Sequence, residues 1–264
     1  MRIIKFRKWY LVAIIFIFIL TLCTTISFIT LKIRNISVYN ELSEKRKNSK
    51  KDDVVVSYEE YKKNVINEYK GKKVLALTFD DGPHSKYTSK LLAILKKYDA
   101  KATFFILGSC VAENEEIIKT AYSQGNEIAT HGYSHKIMTK LSTDALIKDI
   151  KLSLDAINPN ISEEITLLRP PYGIVNEKVM KTLNKFGLTC IKWDLDSLDW
   201  KLRNTNKITE RVLKQVSDKK IILMHDIYKT SVEAVECILQ ELKDEYSFVT
   251  VSELMILKEA ENIN

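Results

Sequence analysis

From Lys73 onward short apolar runs alternate with amphipathic stretches, and few folds accept that order. The runs that read as strands are VLALTF (74–79), ATFFIL (102–107), EIAT (127–130), TLLR (166–169), TCIKW (189–193), KIILM (220–224) and SFVTV (247–251). The stretches between them carry helical periodicity: TSKLLAILKKY, NEEIIKTAYSQ, TDALIKDIKLSLDAI, NEKVMKTLNKF, NKITERVLKQV and SVEAVECILQELK. Strand then helix, repeated in this way, predicts a parallel sheet with helices outside it. About 190 residues are few for an eight-fold barrel, so a smaller or irregular barrel is expected.

Polar residues gather where these strands end. Asp80 and Asp81 follow the first, in TFDDGP. His131 and His135 follow the third, in THGYSH, and Arg169 closes the fourth, in RPPYG. Asp194, Asp196 and Asp199, then Trp200, follow the fifth in WDLDSLDW, and His225 and Asp226 follow the sixth in ILMHD. In a parallel barrel these ends meet on one face, where active sites form. Each piece alone has a plainer reading. Asp-Asp-Gly-Pro is turn chemistry, HxxxH also suits a helix surface, RPPYG suits a rigid turn, and a single His suits a core. Their joint occurrence at successive strand ends favours a site.

The residue types close a chemical scheme. One carboxylate with two imidazoles is a three-ligand set for Zn²⁺ or a similar ion, with a position left open for water. A second carboxylate that is not a ligand can accept the water's proton. An Arg beside such a base keeps it ionised, and a His elsewhere can protonate a leaving group if an Asp raises its pKa.

The set TFDDGP, HGYSH, RPPYG, DSLDW and ILMHD resembles the polysaccharide deacetylase family (carbohydrate esterase family four, with the nodulation-type chitooligosaccharide deacetylases). The resemblance covers about residues 73–255, with the motifs in the family's order. It implies an α/β fold, a distorted (β/α) barrel of about seven parallel strands. It implies Asp80 as general base, with Asp81, His131 and His135 holding one divalent metal, Zn²⁺ first and Co²⁺ or another transition metal as alternatives. It further implies that Arg169 orients Asp80, that the Tyr172 backbone N–H binds the oxyanion, and that Asp199 tunes His225, the general acid. Trp200 and Leu223 would wall the pocket for the acetyl methyl. Two positions depart from the pattern. Gly132 stands where Ser or Thr usually follows the first metal His and steadies the loop, and Lys136 stands where Pro often follows the second. His84 is expected on the rim.

The remaining segments concern address. Trp9 to Leu31 carries no charge, long enough to cross a hydrocarbon core of about 30 Å as a helix. Arg2, Lys5, Arg7 and Lys8 precede it, which favours the N-terminus inside. Of the net charge of +7, six come from Arg2, Lys5, Arg7, Lys8, Lys32 and Arg34. The excess therefore points to a membrane and away from nucleic acid. The expected organisation is a basic cytoplasmic tail (1–8), an uncleaved anchor (9–31), an extracellular stalk with a short helix near 57–70 (32–72), and the catalytic domain (73–264). Secretion after signal cleavage is the alternative. Cys110, Cys190 and Cys237 are widely spaced and odd in number, so no disulfide framework is expected.

These readings converge on a membrane-anchored, metal-dependent hydrolase. It would remove N-acetyl groups from N-acetylglucosamine residues of an extracellular polysaccharide, with cell-wall peptidoglycan as the leading substrate. Chitooligosaccharide, poly-N-acetylglucosamine and O-acetyl-xylan are alternatives in the same class. A catalytically silent wall-binding module is the rival from another class.

Overall fold

The computed structural model describes residues 58–262. The chain divides into two units, residues 1–61 and 62–264. The expected anchor at 9–31 and the stalk up to residue 57 lie outside the described residues. Among those described, no helix is long and apolar enough to cross a membrane.

After helix α1 (58–68) the elements run β1 (Lys73–Asp80), α2 (Tyr87–Lys97), β2 (Ala102–Ile106), α3 (Glu115–Ser123), β3 (Glu127–Thr130), α4 (Thr143–Ile157) and β4 (Leu167–Leu168). They continue with α5 (Glu177–Lys185), β5 (Thr189–Cys190), β6 (Leu195–Asp196), α6 (Asp199–Leu202), α7 (Thr205–Gln215), β7 (Lys220–His225), α8 (Lys229–Leu242), β8 (Tyr246–Phe248) and α9 (Val251–Asn262). Every ladder is parallel, in the order β5-β4-β3-β2-β1-β7-β6, with β8 pairing the first residues of β1. The expected parallel α/β sheet is therefore present, curled into a partial barrel.

β1 is buried along its length after Lys73, as a central strand covered on both faces should be. Its alternation divides the core. Leu75, Leu77 and Phe79 pack outward with Leu91, Leu92 and Leu95 of α2 and Val235, Ile238 and Leu239 of α8. Val74 and Ala76 point the other way, into a cluster with Phe105, Ala129, Leu167 and Ile191, joined by Val65 and Tyr69 at α1 and Leu254 and Leu257 of α9. Thr78 and Asp80 continue this inner face toward the C-terminal strand end. The helices start on side-chain caps where the sequence supplies them. Ser142 accepts from Ala145 N–H, Asn176 from Val179 N–H and Asn204 from Lys207 N–H.

The strand read at 189–193 ends at Cys190, and a second short strand, β6, follows only at Leu195. Thr189 and Ile191 N–H groups donate to Thr166 and Leu168 on the β4 side. Three residues on, Asp194 N–H donates to Ile221 of β7, and Asp194 Oδ2 accepts Ile221 N–H. The chain thus leaves one edge of the sheet and joins the other, across the seam between β5 and β6. The Lys192 carbonyl, a ladder acceptor in a continuous strand, is taken instead by Arg169 Nη2 at 3.1 Å. A second difference lies at 247–251, where the strand ends at Phe248 and α9 begins at Val251. Thr250 and Glu253 cap that helix reciprocally: Thr250 N–H donates to the Glu253 carboxylate, and Glu253 N–H to Thr250 Oγ1.

Candidate active site

The strand ends do meet. Asp80 lies opposite Phe105 of β2 and His225 of β7 in the sheet register. A strand would turn the next side chain away, but Asp81 has φ 72°, outside the extended region. That break in alternation lets both carboxylates face one centre. Gly82 follows because nothing larger fits: a Cβ there would stand 2.3 Å from the Asp226 carboxylate.

Asp81 joins the two histidines of the β3 loop. Its Oδ1 is 3.2 Å from His135 Nε2 and 3.6 Å from His131 Nε2. The ligand atoms of these three residues all lie within 4.8 Å of one another. His131 is buried, and burial pushes its pKa below the usual value against the pull of Asp80 and Asp81. Its Nδ1–H donates to the Arg169 carbonyl at 2.7 Å, so the neutral ring turns its Nε2 lone pair to the cluster. Asp81 Oδ1 is buried and has no hydrogen-bond partner among the described residues. A buried bare carboxylate oxygen is costly, and two imidazole nitrogens beside it supply what a divalent cation needs. The residues present fit a metal.

Asp80 has different partners. Arg169 Nη1 donates to its Oδ1 at 2.7 Å and to Thr78 Oγ1 at 2.7 Å. Arg169 is wholly buried, its guanidinium 4.0 Å from the Phe105 ring centroid. Asp80 Oδ2 is 3.8 Å from His131 Nε2. On the β7 side, His225 Nε2 is 3.9 Å from Asp81 Oδ2. Its Nδ1–H donates to Asp199 Oδ1, and its backbone N–H to Asp199 Oδ2, both at 2.8 Å. Burial pushes the His225 pKa down. The Asp199 hydrogen bond and charge, with Asp80 and Asp81, outweigh it and raise the value to about 9. Burial pushes Asp199 up, but the bonds from His225 and Ser231 bring it below its ordinary value.

The remaining expected residues are at the edge or beneath. Tyr172 has φ 62°, is exposed, and sets its ring 4.8 Å from that of His135. No acceptor takes the Tyr172 N–H among the described residues. Trp200 is half exposed and tied to the site through its N–H on Asp199. Leu223 is buried two residues before His225, on the same strand face. His84 has a local task, its Nδ1 accepting the N–H groups of Lys86 and Tyr87 at the start of α2.

Three polar residues, Thr78, Ser231 and Asp149, had gone unread, and Asp226 had been noted at its strand end without a task. Thr78 shares Arg169 with Asp80, and its position two residues before Asp80 on one strand was the available signal. Ser231 donates to Asp199 at 2.6 Å. Asp226, completely buried, accepts from Thr88 at 2.5 Å, and burial lifts its pKa to about 7. Asp149 reaches the histidine loop from α4.

The family model described as "Polysaccharide deacetylase" matches residues 67–191. A peptidoglycan-N-acetylglucosamine deacetylase of Bacillus cereus is 36% identical over 192 residues, covering 70% of this chain and 90% of that protein. The chain belongs to the polysaccharide deacetylase family. The peptidoglycan-N-acetylmuramic acid deacetylase PdaC of Bacillus subtilis is 42% identical over 187 residues, 70% of this chain but 39% of PdaC. The chain thus spans about two fifths of the length of that relative. The solved structure of PdaC superposes with a TM-score of 0.70 at 40% identity, over 73% of this chain and 94% of the solved one. The solved PdaC structure therefore shares the fold described above.

Proposed function

We propose that this polysaccharide deacetylase is a metal-dependent N-deacetylase acting on N-acetylglucosamine residues of peptidoglycan. The observation that carries the proposal is the pairing of a three-ligand cluster with two proton-handling groups: Asp80 and His225 each stand within 4 Å of a ligand atom. Asp81, His131 and His135 would hold the ion, with Zn²⁺ first. A divalent ion there would supply positive charge to the acyl group and would make water a stronger acid.

The chain's own groups do the rest. Asp80, held by Arg169, takes the proton as water adds to the acetamide carbonyl carbon. The charge that develops on the carbonyl oxygen meets the free Tyr172 N–H. His225, cationic at neutral pH, gives its Nε2 proton to the nitrogen as the C–N bond breaks, releasing acetate and a free amine. Asp199 keeps the His225 ring turned so that Nε2 faces the reaction. Leu223 and Trp200 enclose the methyl. A silent wall-binding module has no use for a complete base, ligand and acid set.

Acetate release from purified wall, chitooligosaccharide and acetylxylan, with and without added metal, tests the reading. Release from none of them under any metal would overturn it. The similarity to PdaC favours one second reading, in which the deacetylated sugar is N-acetylmuramic acid. Mass analysis of muropeptides after digestion distinguishes the two sugars. The uncharged span at 9–31 is proposed as an uncleaved anchor with the N-terminus inside and the domain outside. A mature membrane-bound chain beginning beyond Cys23 would exclude it.

A further inference from the structure

We propose that Asp149 is a positioning residue for the metal cluster, fixing the separation of His131 and His135 and thereby the affinity of the site for a divalent ion. The proposal rests on the metal reading above. Between the two histidines lie Gly132, Tyr133 and Ser134, and each is held from outside the loop. Asp149 Oδ2 accepts Tyr133 N–H at 2.9 Å, and its Oδ1 accepts Ser134 Oγ–H at 2.5 Å. One turn further along α4, Ser153 Oγ donates to the Gly132 carbonyl at 3.0 Å and is 2.6 Å from Thr130 Oγ1. Thr130 Oγ1 in turn accepts Gly132 N–H at 3.0 Å. From the β2 side, Gly108 N–H and Ser109 N–H donate to the carbonyls of Gly132 and Tyr133. Residues at i and i+4 share a helix face, so Asp149 and Ser153 present one polar edge to the loop.

The fit is close. Gly132 has φ +79°, and a Cβ on it would come 2.9 Å from Asp149 Oδ2 and 3.0 Å from Met138 Cε. The carboxylate occupies the room that a side chain at 132 would need. Support that the sequence left in doubt at Gly132 therefore comes from α4. His135, at the far end of the loop, has φ 53°, in the left-handed region that a non-glycine residue seldom occupies. Outer partners of this kind typically change metal affinity by about 10–100-fold when removed.

The test is the Zn²⁺ dissociation constant, read by competition with a chromophoric chelator, in the whole protein. Asp149→Ala should weaken binding by about 10–100-fold, with the near-ultraviolet circular dichroism of the metal-free protein unchanged. Asp149→Asn keeps an acceptor for Tyr133 N–H, and its amide can donate to Ser134, so it should restore binding to within about threefold of the parent, short of that range. Ser134→Ala removes one of the two bonds and should give a smaller loss; it carries the test if Asp149→Ala does not fold. Parent-like affinity in a folded Asp149→Ala, or in Ser134→Ala where that variant carries the test, would overturn the proposal. So would an equal loss in the Ala and Asn variants, which would point to charge and away from positioning. A parent protein that takes up no divalent ion would overturn the metal reading as well, so the two failures are distinguishable.

Discussion

Asp199 holds His225 at two points, one carboxylate oxygen on the ring Nδ1–H and the other on the backbone N–H, both at 2.8 Å. The ring is thus fixed in orientation and in charge. With its pKa raised to about 9, His225 is a cation at neutral pH and can donate until pH rises through that value. Deacetylation should therefore lose rate on the alkaline side. A bound cation offsets part of the Asp81 charge, so the loaded enzyme should show this limb somewhat below the metal-free value. Asp199→Asn removes the raising charge and leaves burial, which lowers the pKa, so the limb should move to lower pH. An alkaline limb in the same place in both proteins, in kcat/KM against pH, would exclude His225 as the acid. The same shift contributes stability. In the metal-free protein it is complete below His's ordinary value of about 6.5 and is lost as pH rises toward about 9, which urea midpoints across that window should follow.

Asp80 and Asp81 should fail in different ways. Asp81→Asn loses a charged ligand, so bound metal should fall. Asp80→Asn keeps shape and leaves the ligand set, so metal should stay while turnover drops by about 10²–10⁴. Elemental analysis beside acetate release separates them. Chelation of the parent should abolish turnover and a divalent ion restore it. An Asp80→Asn protein with metal bound and parent turnover would return the Asp-Asp pair to the status of a turn.

Arg169 should be a stability residue as well as a site residue. It is wholly buried, pairs with Asp80, and supplies its own carbonyl to His131. Arg169→Met leaves Asp80 buried without its cation, a loss of about 3–5 kcal/mol. Chemical denaturation measures it, and a Met variant within about 1 kcal/mol of the parent would contradict the prediction.

Gly82 and Asp226 should couple. Gly82→Ala puts a methyl 2.3 Å from the Asp226 carboxylate, an overpacking cost of about 1–3 kcal/mol. Asp226→Ala removes the obstacle, so the double variant should be more stable than the sum of the single effects allows. Strict additivity of the melting shifts would mean that the two residues do not compete for that space.

The parts legible in the sequence were those that repeat or cluster. EIAT and TDALIKDIKLSLDAI coincide with β3 and α4, because an isolated apolar run and a long amphipathic stretch each have one good solution. The carboxylate pair, the histidines and Arg169 were visible as polar residues ending apolar strands. What stayed hidden depends on contacts distant in sequence. Nothing local to TCIKW says that Lys192 gives its carbonyl to a guanidinium from the preceding strand. Nothing local to Asp149 distinguishes it from a solvated helix charge until the loop at Tyr133 and Ser134 is folded against it. The start of α9 was readable: Thr250 and Glu253 are spaced as a capping box, but the apolar SFVTV before them drew the strand reading onward.

The switch of residues 189–196 from one sheet edge to the other has a consequence for size. Eight complete strand–helix units occupy about 250 residues, and this compact unit runs only from residue 62 to 264. A single crossing serves two neighbours with no helix between, so one connecting helix of the repeat is dispensed with. The economy leaves little slack. An insertion that a surface loop would absorb should, between Cys190 and Leu195, detach one edge or the other, and the seam is where the length of this chain is least negotiable.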